Sequence, residues 1–361
     1  MLKYYHAWNC VFNGLPRPFW TIIKHFPDVR YAWEKASLSE LANKGLRGPY
    51  KHAFLQLKKS GKPFADFENF RQHHITPIGL RDTQYPSLLR NMNKHLPPPI
   101  LYVQGTLPEH HHNVSIVGTR DMSTYGEQVT THFIKEFSRY DICIVSGLAR
   151  GIDITAHTQA LANNLPTIAI LGFGHFHIPY YRKKLTQSII ENGCLVSEYP
   201  PHLKAQKYHF PLRNRIIAGL SAVTVIIEAG KKSGARITAQ YALDQGREVM
   251  AVPGTIYQEK SAGTNALIEH ASAQLVSEPS SIIKTLDIPV KKQEAIAFQS
   301  KMDKAILTLL EKEPLSHEQI MQQLPINAKT LNTKITELEI EQLIKKNSTG
   351  RYYATYSRPS L

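Results

Sequence analysis

The chain is poor in cysteine. Cys10, Cys143 and Cys194 are the whole supply in 361 residues, and none stands in a C-x-x-C pair. A disulfide framework and a cysteine zinc site are thereby excluded, and a reducing compartment, the cytoplasm, is expected. Long apolar runs are missing as well: no stretch approaches the roughly 18 residues of a membrane span, and residues 1–6 do not resemble a secretory leader. Acidic residues are the third scarcity, 29 against 43 lysines and arginines, which leaves a net charge of +14. Such an excess favours a polyanionic partner. Apolar residues, at 42%, suffice for real cores, so general disorder is excluded.

Three segments are expected. Residues 1–62 read as a helical domain of short helices broken by Gly14, Pro16, Pro27, Gly45 and Gly48, loosely of helix-hairpin-helix type. Residues 63–290, opening with an irregular proline-bearing bridge and a short strand at 100–103, form an α/β domain. Its β-branched runs at 114–117, 142–145, 167–171, 195–196, 223–227 and 249–252 alternate with helical periods at 125–139, 152–163, 182–192 and 235–245. That alternation predicts βαβ units and a parallel sheet covered on both faces. Beyond a polar linker near 288–297, residues 298–356 carry three helical periods and a hairpin signal, a winged-helix pattern.

In open parallel sheets, ligands bind beyond the carboxyl ends of the strands. The residues placed there include Gly118, Thr119 and Arg120; Ser146 and Gly147; Gly172 and Gly174; and Glu228 to Gly234 with Ser233. Small, hydroxylated and basic side chains let backbone amides approach an anion, so the exits together predict an anion-binding rim. A second concentration lies at 204–220, with Lys207, Phe210, Arg213, Asn214 and Arg215. Arginine forks match phosphate oxygens, and an exposed phenylalanine among cations suits base stacking. The same residues also fit a core Phe210 with arginines paired to Glu198 or Glu228.

Other motifs carry less. Gly172-Phe173-Gly174 begins a dinucleotide fingerprint, but His177 occupies the third glycine position. Gly230-Lys231-Lys232-Ser233 mimics the end of a P-loop without its first glycine, and the lysines then read as a solvated turn. Glu109 to His112 could ligate a metal but lie in a loop with no partner, and Asp153 with His157 at i, i+4 reads as loop bonding at a helix start.

Ordered along the chain stand Ser115-Ile116-Val117-Gly118-Thr119-Arg120, Ser146-Gly147-Leu148-Ala149-Arg150-Gly151-Ile152-Asp153, Phe210-Pro211-Leu212-Arg213-Asn214-Arg215-Ile216-Ile217-Ala218-Gly219, Lys232-Ser233-Gly234, and Val252-Pro253-Gly254 with Gly263-Thr264-Asn265. This set resembles the DprA (Smf) family of bacterial DNA-processing proteins. The resemblance implies an extended Rossmann domain, flanked by the helical and winged-helix segments, that binds single-stranded DNA without catalysis, cofactor or metal. It further implies a cytoplasmic homodimer, joined through that domain, which protects incoming DNA and loads the recombinase RecA in natural transformation. By motif position the phosphate pocket falls on Arg120, Lys207, Arg213, Asn214 and Arg215, with amides at Gly118 and Gly174 and Phe210 as the stacking residue. One departure is Pro179-Tyr180, where the family has Tyr-Pro.

A rival from another class is a nucleotide-processing enzyme of the phosphoribohydrolase type, which the loop from Glu228 to Thr238 loosely resembles. The P-G-G-x-G-T-x-x-E loop of that type is missing, and Arg236 and Gln240 stand where a catalytic glutamate is wanted.

Overall fold

The structure, a computed structural model, describes residues 1–92, 95–108, 111–290, 301–340, 343–347 and 349–354. Glu109 and His110, the linker positions 291–297 and, of the expected winged-helix segment, residues 298–300, 341, 342, 348, 355 and 356 lie outside the described residues. The chain divides into two compact units, Met1–Lys291 and Lys292–Leu361.

Within the first unit, β-branched and apolar runs form nine strands among the described residues: β1 (Ile75–Gly79), β2 (Ile100–Gly105), β3 (His112–Val117), β4 (Ile142–Ser146), β5 (Thr167–Ile170), β6 (Gly193–Ser197), β7 (Val223–Ile226), β8 (Glu248–Ala251) and β9 (Gln274–Leu275). They build one sheet in the order β1-β2-β6-β5-β4-β3-β7-β8-β9. From β6 to β9 all neighbours are parallel, whereas β1 and β2 join antiparallel at one edge. Every residue of β4, β5, β6 and β7 is buried, as continuous apolar runs between two helical layers require. One face packs Ile168, Val196, Ile216 and Ile226; the other packs Ile116, Phe133, Ile144 and Val225. Chain order reverses between β3 and β7: successive strands run outward to β6 on one side and to β9 on the other. The reversal splays the two loops leaving β3 and β7 and opens a crevice at their carboxyl ends.

The expected break after residue 62 is not a domain boundary. Helix Lys62–Glu68 runs straight through it, where an irregular bridge was expected. Trp8 stacks on Phe54 at 5.1 Å and meets Trp33 edge-on at 5.4 Å, and the same core continues through Phe70 to Ile75, Ile100 and Tyr102 on β1 and β2. Aromatic rings bring large buried areas, so these short helices gain their stability by sharing a core with the sheet edge.

The second unit contains helices Lys301–Leu310, His317–Gln323 and Ala328–Ile340 and a two-stranded hairpin, Ile344–Lys346 with Tyr352–Ala354. Its own core holds Ile306, Leu310, Ile320, Leu331 and Ile335. Lys334 on the third helix is drawn to Asp303 at 3.2 Å and Glu337 at 2.7 Å.

Buried histidines make this fold acid-sensitive. His6 lies within the aromatic core with its Nδ1 2.7 Å from the Tyr102 hydroxyl, and burial pulls its pKa from 6.5 to about 3. Stability from this group is fully present above pH 6.5 and is lost as pH falls, because only the unfolded chain takes up the proton, at roughly 1.4 kcal/mol per pH unit. Glu198, pushed up to about 7 by burial, acts in the opposite sense. The informative quantity is therefore a difference. In urea titrations at pH 7 and pH 4.5, the stability advantage of wild type over His6→Gln should shrink by roughly 3 kcal/mol at the lower pH. A constant gap would show that His6 is protonated alike in both states.

Candidate functional site

A cleft of about 1140 Å³ occupies the crevice between the β3 and β7 exits. Its floor and walls come from Gly118 to Asp121 after β3, Ala149 and Asp153 after β4, Gly230 to Ala235 after β7, and Ile256 to Lys260 after β8. Helix His209–Gly219 adds Phe210, Arg213 and Asn214. Gly118 is required for the close packing: a Cβ there would lie 2.9 Å from the Ile152 Cβ and 3.1 Å from the Glu228 carbonyl. Ser233 caps helix Gly234–Asp244, accepting from the Ala235 amide at 3.3 Å. A Cβ on Gly234 would meet nothing within 4 Å, so that helix start opens into the cleft with its partial positive charge.

Arg213 organises the deeper wall. Its side chain is buried, and its Nη1 donates to the carbonyls of Gly147 and Ile170 at the β4 and β5 exits. Its Nε donates to Asn214 Oδ1 at 3.1 Å. Asp153 is buried beside it and accepts from the amides of Gly147 at 3.1 Å and Ala149 at 3.4 Å. Burial draws the Arg213 pKa down to about 10 and Arg120 adds to that, against the pull of Asp153. The guanidinium therefore remains charged at neutral pH. Burial pushes the Asp153 carboxyl up, and Arg213 opposes it most strongly. Gly147 leaves room for this pair, since a Cβ there would stand 2.6 Å from the Arg213 Cζ.

Phe210 is neither wholly buried nor wholly exposed. One side of the half-buried ring rests on Gly172, where a Cβ would approach to 2.9 Å, and on Phe173, edge-on at 6.4 Å. Over the ring stands the exposed Arg120, its guanidinium carbon 5.9 Å from the centroid. A cation and a π-face thus meet in one wall of the cleft.

Of the expected residues, Gly118, Thr119, Arg120, Phe210, Arg213, Asn214, Ser233 and Gly234 line this cleft. Five others do not. Arg215 lies two positions beyond Arg213, and residues so spaced point to different sides of a helix. Its guanidinium is buried against Glu198, with a further bond to the Leu96 carbonyl at 3.1 Å. The helix begins at His209, so Arg213 and Arg215 sit one turn in and not at its start. Ser146 donates to the Ile116 carbonyl at 2.6 Å, a tie between β4 and β3. The Gly147 amide is consumed by Asp153, and the Gly174 amide by the Leu203 carbonyl at 2.9 Å. Lys207 is exposed, three residues before Phe210 and outside the cleft lining.

Further side chains of the cleft were assigned otherwise or not singled out from the sequence. Lys231 and Lys232, taken for a solvated turn, line it, as do Ile256 and Tyr257 in a loop of which only Pro253 and Gly254 had been noted. The two lysines were placed at a strand exit and set aside only because the P-loop lacks its first glycine; the β7 exit beside the topological switch is the signal that retains them. Ile256 and Tyr257 carry no motif. Elsewhere on this sheet end, Tyr180 and Tyr181 are exposed, with Lys183 and Arg182 over their rings at 5.7 and 5.2 Å. Glu228, the one carboxylate in the loop on which the rival reading rests, is buried and accepts from the Ser123 amide at 2.9 Å and from the Ser123 hydroxyl, and it is not a cleft residue. Among the described residues no cluster of His, Cys, Asp and Glu could hold a metal ion.

The pairing of Arg215 with Glu198 generates a stability prediction. Arg215→Met leaves a buried carboxylate without its cation and should cost about 3–5 kcal/mol in urea unfolding, whereas Arg215→Met with Glu198→Leu should recover most of the loss. Arg120→Ala, at an exposed position, should fall within about 0.5 kcal/mol of wild type. A mild Arg215→Met phenotype would mean that the pair is solvated.

A protein-family model described as DNA recombination-mediator protein A matches residues 76–287. The DNA processing protein DprA of Bacillus subtilis is 39% identical over 211 residues, covering 58% of this chain and 70% of that protein. Protein Smf of Synechocystis is 32% identical over 296 residues, covering 80% of this chain and 74% of its own length. The X-ray structure of DprA from Streptococcus pneumoniae superposes with a TM-score of 0.68 at 28% identity, covering 79% of this chain and 97% of that one. A Helicobacter pylori DprA structure, reported for its single-stranded DNA binding mode, gives 0.53 at 30% identity, covering 60% and 97%.

Proposed function

Because this chain belongs to the DNA recombination-mediator protein A family, we propose that its cleft binds single-stranded DNA and that the protein delivers the bound strand to a RecA-type recombinase during transformation and recombination. One observation carries this reading: Arg120 stands over the Phe210 ring at the topological switch point, so that a phosphate and a base of the same strand find their partners side by side. Arg120, Lys231 and Lys232 hold phosphates from the cleft wall, and the exposed Lys207 extends the basic surface beyond it. Arg213 acts from below the surface, adding positive potential and fixing the loops, and Arg215 has no contact with DNA. Thr119, the Gly118 backbone and the helix start at Ser233 and Gly234 add polar contacts to the backbone of the strand.

The protein acts by binding rather than by turnover, and it works in the cytoplasm, where a recombinase is found. It forms a homodimer through the sheet domain, which places two clefts on one strand and raises the effective concentration of the second contact. The winged-helix unit serves a protein partner or autoregulation, since Lys334 is engaged by two carboxylates instead of facing a phosphate. A phosphoribohydrolase is disfavoured by the position of Glu228, which holds the start of the helix Thr124–Phe137 through Ser123.

Fluorescence anisotropy with a labelled oligothymidylate tests the reading. Arg120→Ala should weaken binding and lower the slope of log affinity against log salt by about 0.7, the loss of one phosphate contact on a single strand. Phe210→Ala should cost on the order of 1–3 kcal/mol of binding. Unchanged affinity and slope in a folded Arg120→Ala protein would place the DNA elsewhere.

A further inference from the structure

After β8 the chain makes a tight loop whose base is pinned from several directions. The Tyr125 hydroxyl donates to the Pro253 carbonyl at 2.8 Å. Asn265 bonds the Gly254 amide at 3.1 Å and its carbonyl at 2.8 Å. A Cβ on Gly254 would collide with Ser261, so the two ends of the loop touch. Lys260 pairs with Asp121 at 2.9 Å, tying the loop to the β3 exit. The Gly263 amide donates to the Ala229 carbonyl at 2.6 Å, tying it to the β7 exit.

The tip of this braced loop is bare. Ile256 is 81% exposed and Tyr257 91% exposed, and no ring or hydrogen-bond partner within the protein takes up the Tyr257 side chain among the described residues. Isolated apolar residues on a surface need no explanation, but two adjacent large ones held out on a rigid loop at the mouth of a cleft do. Both line the same cleft as Phe210. The strand order places them across it: Phe210 sits over the β5 exit, the loop leaves β8, and β4, β3 and β7 lie between. The cations Arg120, Lys231 and Lys232 border the same space.

We infer that Tyr257, supported by Ile256, is a second base-stacking wall of the cleft, facing Phe210 across the phosphate-holding residues. The inference rests on the reading of the cleft as a single-stranded DNA site and says how bases are received there. A tyrosine ring stacks any base through its π-face, with little preference for sequence. Two aromatic walls with cations between them suit a strand whose bases are unstacked and turned outward. A duplex, whose bases are paired and stacked inside, offers neither wall a π-face. The lip is thus a source of discrimination between single strands and duplexes, alongside the electrostatic attraction that both share.

The test uses the full chain, labelled oligothymidylate, and an abasic strand of equal length that keeps the phosphates and lacks the bases. Tyr257→Ala should weaken binding to oligothymidylate by at least about fivefold, as the loss of one stacked base requires. Tyr257→Phe should stay within about twofold of wild type. On the abasic strand, Tyr257→Ala and wild type should bind alike, while Arg120→Ala should still bind more weakly than either. Tyr257→Ala that binds oligothymidylate like wild type, beside a weakened Arg120→Ala, would overturn the stacking wall and leave the cleft assignment standing. If neither variant loses affinity, the cleft assignment itself fails. Sedimentation of the same variants supplies the remaining arm: a change in assembly state on Tyr257→Ala would assign the lip to an interface between copies of the chain and overturn the inference.

Discussion

A buried guanidinium sets the arrangement of the site. Arg213 is taken out of water, yet it is held by two carbonyls at the ends of β4 and β5, by Asn214 and by the field of Asp153. Removing a charge from solvent is costly unless its hydrogen-bonding capacity is met, and here the partners are the very loops that must be positioned. The β4 exit is bent around Asp153, whose carboxylate collects the Gly147 and Ala149 amides. Helix His209–Gly219 is docked over the sheet end by the same side chain, which sets Phe210 on Gly172 and beneath Arg120. The residues offered to a ligand are thus arranged by one that is largely hidden from it.

The same helix shows how a single segment serves two sides of the molecule. Arg213 faces the cleft, and Arg215, two positions on, turns into a buried pair with Glu198. Asn9, in the N-terminal helix Leu2–Val11, reaches the Glu198 carbonyl at 2.8 Å. The N-terminal helices are therefore tied to the exit of β6, where the partner of Arg215 stands. Their aromatic core continues onto β1 and β2, so this layer braces the antiparallel edge of the sheet while the parallel strands present the cleft.

Much of the architecture was legible because burial dictates composition. Runs such as Val114 to Val117 and Val223 to Ile226 lie wholly between two helical layers, so they read as uninterrupted apolar segments, and each became a strand. The cleft was legible through Gly118 and Arg120, because a parallel sheet fixes where its ligands bind. The side on which Arg215 points was not, since neighbouring arginines in a motif look equivalent until the helix start is known. Ser146 ends β4 and Gly174 lies in the loop after β5 for packing reasons that serine and glycine share with ligand binding. The continuity of the N-terminal helices with the sheet was hidden because it depends on contacts between Trp8, Phe70 and Tyr102, far apart in the chain. Tyr257 was invisible for the opposite reason: an exposed tyrosine in a loop has no pattern around it.

Single-stranded DNA, as proposed above, lies in the cleft at the β3–β7 switch point. Hydrogen–deuterium exchange on the full chain, with and without a saturating oligothymidylate, addresses it without any substitution. DNA in the cleft should slow exchange in three segments at once: 118–122, the first turn of helix His209–Gly219, and 230–236. These segments are far apart in sequence and meet only in the cleft. Protection confined to the winged-helix unit or to the N-terminal helices, with those three segments unchanged, would contradict it.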